Sequence, residues 1–252
     1  MASATVPPQQ APAPVSSIGR IFGVFFSPKP TLESIVQRPT WVLPILIILA
    51  VSLVTVGVIG QRVGWQTVIE KQIASNPRAQ RQMEQMPAEQ REKVINQQVK
   101  FASVIGYVSV FVFTILGVVV VAAVFLAVFN LAGGTKIGFS TSLAIVAHSW
   151  LPFVLSALLG ILILFIKDPS TVDIQNLVAS NPGALLSDDS PRWLVSLLTS
   201  LDLFTVWVLI LQAVGYSATN PKKISFGKAL ASVLAVWAVY VLIKVGFAAA
   251  FS

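Results

Sequence analysis

Five apolar stretches, each long enough to cross a bilayer, fill about half of this chain. They run over roughly Trp41–Gly60, Ser103–Leu131, Ser142–Ile166, Ser196–Tyr216 and Ala229–Ala250. About 20 residues at 1.5 Å per residue cross ~30 Å of hydrocarbon, and each stretch holds at most one formally charged residue. A soluble domain has no use for five such segments. The expected fold is all-α: a polytopic membrane helix bundle with five transmembrane helices plus short interfacial helices. Charged residues make up 11% of the chain, less than half the share usual in a soluble domain. That leaves no room for a large aqueous domain, and one membrane domain over residues 18–252 is expected.

Residues 1–17, MASATVPPQQAPAPVSS, form no apolar signal-peptide core and cannot bury one, so a disordered tail is expected there. Cysteine is absent, which removes disulfides and thiolate metal sites from consideration. The net charge of +7 would point to nucleic acid in a soluble protein, but here the basic residues flank membrane spans. Anionic lipid headgroups account for them more simply, and no nucleic-acid partner is expected.

Between residues 18 and 40, Ile18, Ile21, Phe22, Phe25 and Phe26 recur at helical spacing with Arg20 among them. Pro28 and Pro30 break the run. An amphipathic helix on the headgroups fits this pattern, as does a helix packed on the bundle, and a second short helix should run from Pro30 to Gln37. Residues 61–100 form the longest polar connection, with breaks at Asn76-Pro77 and Met86-Pro87. A surface helical hairpin is expected there, its second arm leading straight into the second span. Gly133 and Gly134 should end that span, making the second and third spans antiparallel neighbours. A polar, acidic loop follows the third span over residues 167–192. Ile73-Ala74-Ser75-Asn76-Pro77 in the first long loop is echoed by Val178-Ala179-Ser180-Asn181-Pro182 in the second, as a repeat or as two ordinary helix stops.

Basic residues in short flanking loops set topology. With the N-terminus inside, seven basic residues lie on the inner side and nine on the outer. The raw count opposes this orientation. The long 61–100 loop is mixed in sign and weighs little, whereas Lys222, Lys223 and Lys228 cluster in a short loop. The expected topology is N-in, C-out.

Three polar side chains are costly inside a bilayer: Asp202, Lys244 and His148. Asp202 and Lys244 each lie six residues from the outer ends of consecutive spans, ~9 Å below the boundary. They could form an ion pair that fixes helix register. Alternatively Lys244 snorkels while Asp202 faces a wet crevice, or Asp202 couples proton or ion movement. His148, from the other side, suits a hydrogen bond to a backbone carbonyl or neighbouring hydroxyl. No cofactor is expected, no metal cluster surrounds His148, and no HExxH, GxSxG or phosphate-cradling loop occurs.

Together these pieces resemble the Yip1 domain family, in its prokaryotic branch. The resemblance is carried by Phe25, Pro28 and Pro30, then Arg38-Pro39-Thr40-Trp41 before Pro44. It continues with Ser142-Leu143 and Ala147-His148-Ser149-Trp150-Leu151-Pro152. The sharpest part is Leu201-Asp202-Leu203-Phe204-Thr205-Val206-Trp207 with Gly215, completed by Trp237 and Tyr240. It implies five spans, a cytosolic N-terminus, and a non-enzymatic protein that binds or organises other membrane proteins or itself. Eukaryotic members are tied to vesicle traffic and Rab-type GTPases, a role not carried over to this chain. A small transporter or channel using Asp202 is the competing reading.

Overall fold

The computed structural model describes residues 16–187 and 189–250, so the tail expected over 1–17 lies outside the described residues up to position 15. Ser16 already accepts a hydrogen bond from the Gly19 N–H (3.0 Å) as the N-cap of the first helix. Eleven α-helices follow among the described residues: α1 (Ser17–Phe26), α2 (Pro28–Gln37), α3 (Val42–Arg62), α4 (Trp65–Ala74), α5 (Pro77–Glu84), α6 (Ala88–Ala127), α7 (Phe139–Ser149), α8 (Leu151–Ile166), α9 (Arg192–Ser200), α10 (Leu203–Thr219) and α11 (Phe226–Ala250).

Among the described residues four helical units are long and apolar enough to cross a membrane: α3, α6 with its π-helical continuation to Ala132, α7 with α8, and α11. The pair α9 and α10, bent by 49° at its junction, supplies a fifth. The third span is two helices where one was expected. Pro152 has no N–H to give to the carbonyl of His148, four residues back, so the ladder breaks at Trp150.

The 61–100 connection is helical, but two helices, α4 and α5, precede α6 where a two-armed hairpin was expected, because Pro77 opens a helix of its own. Asn76 caps α5 by accepting from the Arg78 and Ala79 N–H groups (3.1 and 3.3 Å), and α6 runs unbroken from the surface into the bilayer. The turn after α6 uses Gly134 at φ +60°, a left-handed conformation natural to glycine. Asn130 closes that turn, donating to the Ile137 carbonyl (3.0 Å) and accepting from its N–H (2.8 Å).

Both long connections meet at one end of the bundle. Lys71 donates to the Val172 carbonyl (2.8 Å), Gln175 to Ser75 Oγ (3.4 Å), and Arg62 lies over the Phe165 ring at 5.2 Å. The two echoed segments therefore share a side. At the other end the short turns meet, Lys223 donating to the Gly134 carbonyl (3.0 Å).

One core cluster joins α6, α7, α10 and α11 around Phe125, Phe129, Ile145, Tyr216 and Val233. A second joins α1 and α2 to α7, α8 and α10 through Val24, Leu32, Ile35, Ala144, Leu151 and Leu211. The N-terminal hairpin α1–α2 is thus packed along the bundle, as the second sequence reading of α1 has it. Val24 and Arg20 face inward, while Ile18, Phe22 and Phe26 remain exposed as an outward apolar stripe. Pro28 opens α2 at its first turn, extending that helix two residues earlier than Pro30.

Candidate functional site

The fourth span breaks where its one carboxylate sits. Leu201 and Asp202 leave the helical conformation, and Asp202 (φ −79°, ψ 141°) becomes the N-cap of α10. Its Oδ1 accepts from the N–H groups of Phe204 (2.9 Å) and Thr205 (3.2 Å). A short acceptor side chain competes well for these donors, which have no partner inside the helix. The carboxylate also meets the positive end of the α10 dipole, so its charge is offset by backbone groups rather than by a counter-ion.

The second oxygen is met from the acidic connection. Among the described residues Ala179 is the non-glycine with positive φ (+53°), and this turn carries Ser180 to the break. Ser180 donates its hydroxyl to Asp202 Oδ2, and its carbonyl accepts from the Leu203 N–H (3.1 Å). The connection is held there on either side. Asn176 and Asn181 exchange side-chain amide bonds (3.3 and 2.8 Å). Leu177 packs over Gly160 of α8, and Gly183 packs on Thr199 of α9.

The ion pair between Asp202 and Lys244 does not form. Lys244 turns to the preceding turn of α9, donating to Ser200 Oγ (3.0 Å) and toward the Ser196 carbonyl (3.4 Å). The reason is the break itself. With α9 bent away from α10, the end of α9 offers acceptors to the ammonium while the start of α10 offers donors to the carboxylate. Each charge is satisfied by a helix terminus of the sign that suits it. Ser200 Oγ in turn donates to the Ser196 carbonyl (2.7 Å), and the buried Ser196 hydroxyl has no hydrogen-bond partner.

His148 lies apart from this crossing, fully buried in α7. Its Nδ1 is 2.9 Å from the Ala144 carbonyl, which can accept but not donate, so Nδ1 carries the proton. Among the described residues no group of three His, Asp or Glu side chains is placed to hold a metal ion.

The positions quoted for the resemblance have structural work at other points. Trp41 precedes α3 and is partly exposed, Pro152 breaks the third span, and Trp207 receives Phe25 edge-on at 5.7 Å. Arg20, unremarkable in the sequence beyond its charge, is 4% exposed. Its guanidinium donates to the carbonyls of Ser34 (3.1 Å) and Arg38 (2.7 Å) and to Thr40 Oγ1 (3.0 Å). It thereby clamps the C-terminal end of α2, where a cation is favoured. Burial, then the charge of Arg38, holds its pKa below the ordinary arginine value.

Sequence reasoning missed Ser180, Ser196, Ser200 and Tyr216. The hydroxyl of Tyr216 lies 2.6 Å from Ser142 Oγ, which spends its proton on the Ala122 carbonyl (2.7 Å), so Tyr216 is the donor to Ser142. The signal for the break was present in Asp202, a strong N-cap former within an otherwise apolar run.

Comparison with known proteins adds one finding. The Yip1 domain family's model matches residues 22–248 of the 252. No curated protein and no solved structure matches the chain. The match takes in α2 and the break at Asp202 but begins beyond Arg20, and the chain belongs to the Yip1 domain family.

Proposed function

We propose that this Yip1 domain membrane protein is a non-enzymatic scaffold or adaptor that binds other membrane proteins or further copies of itself. In this reading it belongs to the prokaryotic branch of the family and resides in a cytoplasmic membrane. Its N-terminus faces the cytoplasm, ahead of one membrane domain over 18–252.

The observation that supports it is how the intramembrane polar groups are used. Asp202, Lys244, His148, Ser142 and Tyr216 bind helix ends, carbonyls and each other. Ser142 and Tyr216 tie α6, α7 and α10 together and Lys244 ties α11 to α9, as a rigid platform requires, while Asp202 holds the second long connection against the start of α10 and His148 bonds within α7. The test is crosslinking in native membrane followed by affinity isolation. A reproducible membrane-protein partner, or a crosslinked homo-oligomer, is the expected result; recovery of neither in repeated preparations rejects the reading.

A second reading is a small transporter or channel that uses Asp202. The broken fourth span favours it, because irregular backbone at membrane depth is tolerated where protein or a water-filled cavity surrounds it. Proteoliposomes containing the wild type or Asp202→Asn would be assayed for proton and cation flux. Flux in the wild type that Asp202→Asn abolishes supports this reading, and no flux in either removes it.

A further inference from the structure

The lysines of the two short turns are dispersed in the sequence, and the fold gathers them. Lys136 lies in the turn between α6 and α7; Lys222, Lys223 and Lys228 lie in or just after the turn between α10 and α11. The bond from Lys223 to the Gly134 carbonyl (3.0 Å) knits the two turns together. All four lysines are exposed. No Asp or Glu occurs within 128–141 or 217–228, so nothing in either turn neutralises them.

Three further features place this patch at the edge of a bilayer. The turns connect membrane-spanning units, which sets them at headgroup depth. Phe139 and Phe226, the first residues of α7 and α11, are 42% and 46% exposed close in sequence to the lysines, the pairing of apolar ring and basic residue found on helices that lie at a membrane interface. The N-terminus of α7 opens onto the same face without a side-chain cap, adding backbone N–H groups that suit an anion.

We infer that the joined α6–α7 and α10–α11 turns form a binding surface for the phosphate headgroups of anionic phospholipids. Lys136, Lys222, Lys223 and Lys228 supply the charge, and Phe139 and Phe226 rest against the acyl boundary. A lipid is the favoured source of the phosphate because the aromatic residues flank the charges at the depth where acyl chains begin. This inference stands independently of the scaffold reading.

The test uses the full chain in detergent micelles, where membrane orientation has no influence. It is titrated with dioleoyl phosphatidylglycerol, with dioleoyl phosphatidylcholine and with inorganic phosphate, and bound lipid is counted by native mass spectrometry. The wild type should prefer phosphatidylglycerol over phosphatidylcholine by about tenfold, given the attraction expected of several lysines at a surface. The quadruple variant Lys136→Gln/Lys222→Gln/Lys223→Gln/Lys228→Gln should lose most of that preference. A control with four charges removed at the other end, Arg91→Gln/Lys93→Gln/Lys100→Gln/Lys167→Gln, should keep it. If the quadruple variant does not elute as one species, Lys136→Gln/Lys228→Gln and Lys222→Gln/Lys223→Gln are measured separately, each expected to lose about threefold. Undiminished preference in the turn-lysine variants overturns the proposal. So does an equal loss in the control, which would make the effect one of net charge. Displacement of phosphatidylglycerol by an equal concentration of inorganic phosphate assigns the surface to free anions and overturns the lipid assignment.

Discussion

Two polar clusters cross this bundle, and they are built on different terms. At the Ser142–Tyr216 knot every group is neutral. Tyr216 and Ser142 are fully buried, the tyrosine is stacked on Phe129 at 4.4 Å, and the hydroxyl chain ends on a carbonyl of α6. At the Asp202 break two groups are charged, Asp202 and Lys244 are partly exposed, and their partners are helix termini together with the hydroxyls of Ser180 and Ser200. A neutral hydroxyl is desolvated cheaply and can be sealed inside α6, α7 and α10. A carboxylate or ammonium costs several-fold more to seal, so it is kept where backbone dipoles and residual exposure share the load. The knot should therefore govern stability, and the break should govern local geometry.

The comparison is sharpest at Gly215. A Cβ there would lie 2.5 Å from Ile145 Cγ2, because α7 and α10 close on each other beside the knot. Gly215→Val should cost about 3 kcal/mol, the upper range for overpacking, read as loss of folded fraction in a detergent denaturation series. Ser142→Ala should follow at about 2 kcal/mol, because it strands the Tyr216 hydroxyl in a dry core. Tyr216→Phe should cost less, about 0.6 kcal/mol, since Ser142 keeps its bond to Ala122. A Tyr216→Phe loss larger than that of Ser142→Ala would overturn the donor assignment.

At the break the same assay should give smaller numbers. Asp202→Ala removes an N-cap and leaves Ser180 without its acceptor, for about 1 kcal/mol. Asp202→Asn still caps and should cost only a few tenths of that scale. If Asp202→Ala proves more damaging than Ser142→Ala, the ranking of the two clusters is reversed and the charged crossing is the true keystone.

The knot and the break were unequally legible in the sequence. The five spans stood out because hydrocarbon imposes a length and a composition on each of them. The helical 61–100 connection was legible from Asn76-Pro77 and Pro87, which carry local stop and start signals. The bend at Trp150 could have been read from Pro152. The break at Asp202 was hidden because a span-length average absorbs one carboxylate among many apolar neighbours. Ser180 was hidden for another reason: its contact lies 22 residues away and depends on the turn at Ala179. Arg20 is similar, its partners lying 14 to 20 residues downstream on a hairpin whose fold sets the match. Local signals gave the elements; the polar contacts between them are non-local and needed the packing.

The smallest expected effect is the most discriminating. Asp202 and Lys244 sit on consecutive spans at matching depth, so the sequence favours an ion pair, and a pair would show strong coupling in a double-mutant cycle. The structure gives them separate partners: Ser180 and the start of α10 for Asp202, the end of α9 for Lys244. Removing either one strands no charge of the other sign. Asp202→Ala, Lys244→Ala and the double variant should therefore be additive to within about 0.5 kcal/mol, as for sites with no common partner. A double variant more stable than the Asp202→Ala single variant would restore the ion pair and place the two charges in one site, because it would mean that Lys244 had been left uncompensated.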